Sequence, residues 1–143
     1  MMLIAILSLF ILVLYLSCGE KIFTADVDCD ECYSDKPGEV DLIIEVTLSG
    51  AYPSVPIVVY RGEIEENQVE YVDTVYENPY YLYVQAGRKY SVKAKYQKAD
   101  RTLYAVDATK PKVLLVTDAC DAECYVIEDV DLDVRIKKDY LDY

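Results

Sequence analysis

From residue 39 onward the chain alternates between apolar and polar positions in short runs. "VDLIIEVTL", residues 40–48, sets Val40, Leu42, Ile44, Val46 and Leu48 on one face against Asp41, Glu45 and Thr47, with Ile43 as the one exception. Successive strand side chains point to opposite faces, so this run predicts a half-buried strand. "VPIVVYR" repeats the pattern with Val55, Ile57 and Val59 inward, and its Pro56 points to a strand that begins at an edge or a bulge. "VEYVDTVY" sets Val69, Tyr71 and Val75 against Glu70, Val72, Thr74 and Tyr76, and "ENP" turns it into "YYLYVQ". The residue before Pro79 is pushed out of the helical region, which gives that turn its mechanism.

Ala86 and Gly87 mark the next turn. "KYSVKAKYQK" then gives the clearest strand, with Tyr90, Val92, Ala94 and Tyr96 against Ser91, Lys93, Lys95 and Gln97. The Lys and Ala content offers a rival helix over residues 93–103, but period two outweighs propensity there. "RTLYAVDA", "KVLLVTD" and a last long run, "YVIEDVDLDVRIKK", follow, the last with Val130, Leu132, Val134 and Ile136 inward. Short strands at intervals of about ten residues, with no convincing helix, predict an all-β antiparallel sandwich of about seven strands, eight at most.

The polar segment "GEKIFTADVDCDECYSDKPG", residues 19–38, leads into this body, and Pro37-Gly38 closes it as a turn. The sandwich is expected over residues 39–138, with a tail at 139–143. Before the lead, "MMLIAILSLFILVLYLS" (residues 1–17) carries no charged side chain. Such a run is a targeting segment and lies outside the fold. It ends in "YLSC", a small residue directly before Cys18.

The "YLSC" stretch resembles a bacterial lipobox. That resemblance implies cleavage before Cys18, a diacylglyceryl group on its sulfur, and a mature chain beginning at residue 18 on an outer-membrane anchor. An uncleaved apolar anchor or an ordinary signal peptide is the alternative. The stretch "YVDTVYENPYYLYVQAGRKYSVKAKYQ", residues 71–97, ends in the Tyr90, Val92, Ala94 strand. It resembles the middle of transthyretin-like and carboxypeptidase-regulatory-like sandwiches, which are small Ig-like domains. With the lipobox, the whole is similar to small envelope lipoproteins of Bacteroidota. The resemblance spans residues 39–98 and implies a non-catalytic accessory domain.

Composition narrows the chemistry. The chain has 26 acidic against 14 basic residues, a formal charge of −12, and no histidine. That charge repels phosphate backbones and anionic membrane surfaces, so nucleic acid is not an expected partner. Without histidine the commonest general base and metal ligand are missing. No nucleophile–base pair is visible, so no catalytic residue is assigned and no cofactor is expected.

Five cysteines divide into Cys18 and two acidic pairs, Cys29 with Cys32 in "CDECY" and Cys120 with Cys124 in "CDAECY". The spacing admits a four-cysteine zinc site. Yet Asp26, Asp28, Asp30, Glu31, Asp118, Asp121 and Glu123 crowd the motifs without a nearby cation, which raises the cost of forming thiolates. The same acidity weakens a redox couple. Structural disulfides are the default in an exported chain. Bridges between the motifs close loops near a hundred residues, worth on the order of 4 kcal/mol, far more than two tiny local loops. Cross-bridges are therefore expected, with Cys29 and Cys32 in a turn so that they point together. Which cysteine meets which depends on the relative direction of the two segments.

Two further patterns offer sites. "DVDCDE" and "EDVDLD" look like calcium ligand runs, but no EF-hand template fits, and Asp129, Asp131 and Asp133 alternate as the outer face of a strand. Fifteen tyrosines are unusual, and Tyr80, Tyr81 and Tyr83 stand together in "YYLYVQ", with Tyr81 and Tyr83 on one face. They read either as strand residues packed in cross-strand ladders or as a stacking platform for a glycan or a protein partner. The expected role is an interaction or accessory module held to the membrane through Cys18, with a protein partner in the envelope; glycan binding through the tyrosine strands is the alternative.

Overall fold

The structure is a computed structural model that describes residues 27–137. The targeting segment, Cys18 and the 139–143 tail lie outside the described residues. Among these residues nine strands form, namely β1 (Glu39–Glu45), β2 (Val55–Arg61), β3 (Val69–Val75), β4 (Tyr80–Gln85), β5 (Tyr90–Lys98), β6 (Arg101–Thr109), β7 (Lys112–Val116), β8 (Cys124–Glu128) and β9 (Asp131–Asp133). Two 3₁₀ turns, Cys29–Glu31 and Ile64–Glu66, are the only helical pieces among the described residues. The protein is thus an all-β sandwich.

One layer has the strand order β4-β1-β9 and the other β3-β2-β5-β6, while β7 and β8 form a separate hairpin. Between the layers, Val40, Leu42, Ile44 and Val46 from the first face Val55, Ile57, Val59, Val92, Ala94 and Tyr96 from the second, all buried. These are the positions that alternation assigns inward. Three residues tie the layers together. Tyr96 donates its hydroxyl to the Val134 carbonyl (2.7 Å) and accepts from the Thr47 N–H (3.0 Å). Asp107 of β6 accepts from the Asp133 N–H of β9 (2.8 Å). Asp73 of β3 accepts from the Tyr80 hydroxyl of β4 (2.7 Å).

Long-range pairing alters four expectations. The expected last strand is divided into β8 and β9, because Asp129 adopts a left-handed φ of 56° and sends β8 to β7 but β9 to β1. β9 and β1 run parallel, while every other strand pairing is antiparallel. β2 is interior rather than an edge; its ladder to β5 begins at Ile57, so Pro56 stands just ahead of the bonds its missing N–H would weaken. Tyr71 faces inward by register, opposite Val59, yet stays exposed because β3 is the edge strand.

The rival helix over 93–103 is absent. Residues 90–109 form an unbroken hairpin registered from Tyr90↔Thr109 to Lys98↔Arg101, turned by Ala99 at φ 52°. The hairpin sets Lys93 and Lys95 on its outer face beside Val106 and Tyr104, and the Lys93 ammonium sits 5.2 Å from the Tyr104 ring centre. The outward charge of the four-stranded layer is therefore partly basic.

Candidate functional site

The cysteine motifs meet. Cys29 is bonded to Cys120 and Cys32 to Cys124, with Cα–Cα distances of 5.8 and 5.6 Å. Cross-bridging is as the loop argument expects. Cys29 and Cys32 point together because residues 29–31 form a 3₁₀ turn, whose three-residue period brings i and i+3 to the same side. Asp28 caps that turn, its carboxylate accepting from the Asp30 N–H (3.0 Å). The pairing follows sequence order, 29 with 120 and 32 with 124, although Tyr33 and Tyr125 bridge antiparallel. The direction rule does not govern it, because that bridge is isolated and no ladder extends from it to the cysteines.

The sulfurs of Cys32, Cys120 and Cys124 lie within 4.8 Å of one another. All three are consumed in disulfides, and a disulfide sulfur is not the thiolate that zinc requires. The zinc alternative at Cys29, Cys32, Cys120 and Cys124 therefore does not describe the bonded state. Nor, among the described residues, do the acidic runs gather into a calcium loop. Asp129 ion-pairs with Lys112 (2.6 Å), Asp133 is held by Arg135 (2.7 Å), and Asp131 faces outward on β9.

The tyrosine strand separates into two surfaces. Tyr80 turns inward and half-buried, while Tyr81 and Tyr83 stand outward, 59% and 64% exposed. Asp73 collects the Tyr80 hydroxyl, the Thr74 N–H (2.7 Å) and, more distantly, the Tyr71 hydroxyl (3.4 Å). The Tyr80 bond above all holds the Asp73 carboxyl below its usual range, with the Thr74 N–H next. Burial, then the Asp73 bond, pushes the Tyr80 hydroxyl far up. The bond joins β3 of one layer to β4 of the other at one side of the sandwich. Sequence reading missed it, although one signal was present: Asp73 occupies an inward position between Tyr71 and Val75.

Register defines what surrounds the exposed rings. On the outer face of the three-stranded layer Tyr83 lies beside Asp41, Tyr81 beside Ile43, Ile43 beside Asp131, and Gln85 beside Glu39. Arg135 engages Glu45 (2.8 Å) and Asp133 at the far end of this face. Glu39, Asp41 and Asp131 form no ion pair among the described residues. The result is two aromatic rings set among three uncompensated carboxylates. Cys18, the remaining sequence-derived site, lies outside the described residues. Among the described residues no helix is long and apolar enough to cross a membrane. Comparison with protein-family models, with curated proteins and with solved structures finds no match for this chain.

Proposed function

We propose that the protein is a lipid-anchored module of the cell envelope that works by contact rather than catalysis, holding a partner protein against its tyrosine-bearing layer. The observation that carries this reading is the outward display of Tyr81 and Tyr83, large amphipathic rings left open on the outer sheet face. Tyrosine supplies contact area at low entropic cost and is enriched where proteins dock. The apolar segment ending at Cys18 supports the anchor, and the two bridges suit a domain working outside the reducing cytosol.

A photo-crosslinking residue in place of Tyr83, introduced in intact cells, should yield one discrete adduct, while the same residue at the exposed Asn67, just after the 3₁₀ turn Ile64–Glu66, should not. No adduct from Tyr83, or equal adducts from both, defeats the contact reading. For the anchor, a palmitate analogue should label the wild type and not Cys18→Ala; equal labelling defeats it. Glycan binding is the second reading, favoured by the same two rings beside the Asp41 carboxylate. A polysaccharide array that binds the wild type and not Tyr81→Ala/Tyr83→Ala would establish it, and flat binding would remove it.

A further inference from the structure

The open edge of β4 is unusual in what it lacks. β4 pairs with β1 on one side, and no described strand pairs with the other. Its six residues, "YYLYVQ", contain no charge, no proline and no glycine. Edge strands are ordinarily protected by such residues, because an exposed row of N–H and C=O groups recruits further strands. β3, one of the two edge strands of the other layer, shows that protection: it carries Glu70 and Asp73, and its pairing with β2 shifts register between Val59 and Tyr60.

Register shows which groups are free. The Ala86 N–H donates to the Gly38 carbonyl (3.0 Å), so Val84, Leu82 and Tyr80, at even steps from Ala86, also direct their backbone groups toward β1. The N–H and C=O of Tyr81 and Tyr83 therefore point to the unpaired side. The same residues carry the exposed rings, and Asp41 stands next to Tyr83 on β1.

We infer that this edge accepts an extended, lysine- or arginine-bearing peptide segment as an added strand, its backbone bonded to Tyr81 and Tyr83 and its cations set over the rings and toward Glu39 and Asp41 on β1, with Asp131 on β9 adding to the negative field of the face. This deepens the contact reading and rests on it. Charge selects the occupant. The three carboxylates have no cation among the described residues, Asp73 adds a fourth anionic group at the seam between β3 and β4, and the whole chain carries −12. The basic residues Lys93 and Lys95 lie on the opposite layer. A second copy of this chain would bring like charge to the edge, and a neutral glycan would use neither the free backbone groups nor the charge. A cationic strand uses all three features: main-chain bonds for affinity, carboxylates for selection and tyrosine faces for cation–π contact.

The test uses the intact, disulfide-bonded protein and synthetic peptides of about ten residues, long enough to cover the roughly 20 Å of β4. The probes are alternating valine–lysine, the same peptide N-methylated on alternate residues, and alternating valine–glutamate, compared by fluorescence anisotropy. The valine–lysine peptide should bind at least tenfold tighter than either of the others. Tyr83→Pro, which removes an N–H that faces away from β1, should reproduce the effect of N-methylation, and Glu39→Gln/Asp41→Asn/Asp131→Asn should weaken binding several-fold. Equal binding of the parent and methylated peptides, equal binding of the basic and acidic ones, or binding of none overturns the inference; the methylated peptide decides the matter even if Tyr83→Pro does not fold. A concentration-dependent dimer abolished by Tyr83→Pro would assign the edge to a second copy instead. A discrete adduct from Tyr83 in cells combined with failure of the peptides would leave the contact reading standing and remove only this one.

Discussion

The two disulfides should not contribute independently, and their placement sets the size of the departure. Each closes a loop of similar span, with sequence separations of 91 and 92 residues, and a bridge of that span made alone is worth about 4.5 kcal/mol in the chain-entropy model. Once either exists, the other closes only the small ring formed by residues 29–32 and 120–124, about nine residues, worth about 2.5 kcal/mol. Cys29→Ser/Cys120→Ser should therefore cost about 2.5 kcal/mol, and so should Cys32→Ala/Cys124→Ala, while removing all four sulfurs should cost about 7 kcal/mol. The joint loss exceeds the sum of the separate ones by about 2 kcal/mol, a large share of the stability typical of a domain this size. Equilibrium urea denaturation of the three variants, followed by far-ultraviolet circular dichroism, reads these values directly. If either single removal cost about 4.5 kcal/mol, or if the two effects simply added, the overlapping-loop account would be refuted.

Three other outcomes follow from named groups. Tyr96→Phe should destabilise by about 2–4 kcal/mol, because it leaves the Val134 carbonyl and the Thr47 N–H unpaired, whereas Tyr52→Phe should stabilise by about 1 kcal/mol, since it removes a buried hydroxyl that has no partner; thermal or urea unfolding distinguishes the two. Asp73 and Asp133 are held below their usual range, by the Tyr80 hydroxyl and by Arg135 respectively, so their stabilisation is complete above the unfolded carboxylate value of about 4 and is lost as pH falls through their folded values. Asp73→Asn should flatten that acid limb, and an unchanged slope would contradict the assignment. At the alkaline end burial raises Tyr80, Tyr90 and Tyr96, so the stability these groups contribute is present below about pH 10 and falls above it; a spectrophotometric titration should show late-ionising tyrosines, and Tyr80→Phe should lose one of them.

The candidate surface was half legible in the chain. That Tyr81 and Tyr83 share a face opposite Tyr80 and Leu82 follows from period two alone. That they fall on an unpaired edge does not, because strand order depends on partners distant in sequence: β4 meets β1 from about forty residues upstream, and its other side is left open by topology. The Asp73 seam shows the same division. An acid at an inward position was visible, but its Tyr80 partner became evident only once the cis Asn78–Pro79 turn carried the chain from one layer to the other.

Local chemistry determined the strand-rich class, the inward residues of β1, β2 and β5, the turn at Gly87 and the need for the two cysteine motifs to meet, because side-chain alternation, backbone preference and loop entropy all act along the chain. The tertiary structure decided everything that depends on neighbours brought from afar. It broke the last long alternating run at Asp129 so that β8 and β9 could serve different partners, made β2 interior and β3 and β4 edges, and chose which cysteine each cysteine meets. The physical reason is the same in each case: a strand's pattern specifies which face it buries, while which of its edges is left open is specified only by the strands that pack beside it.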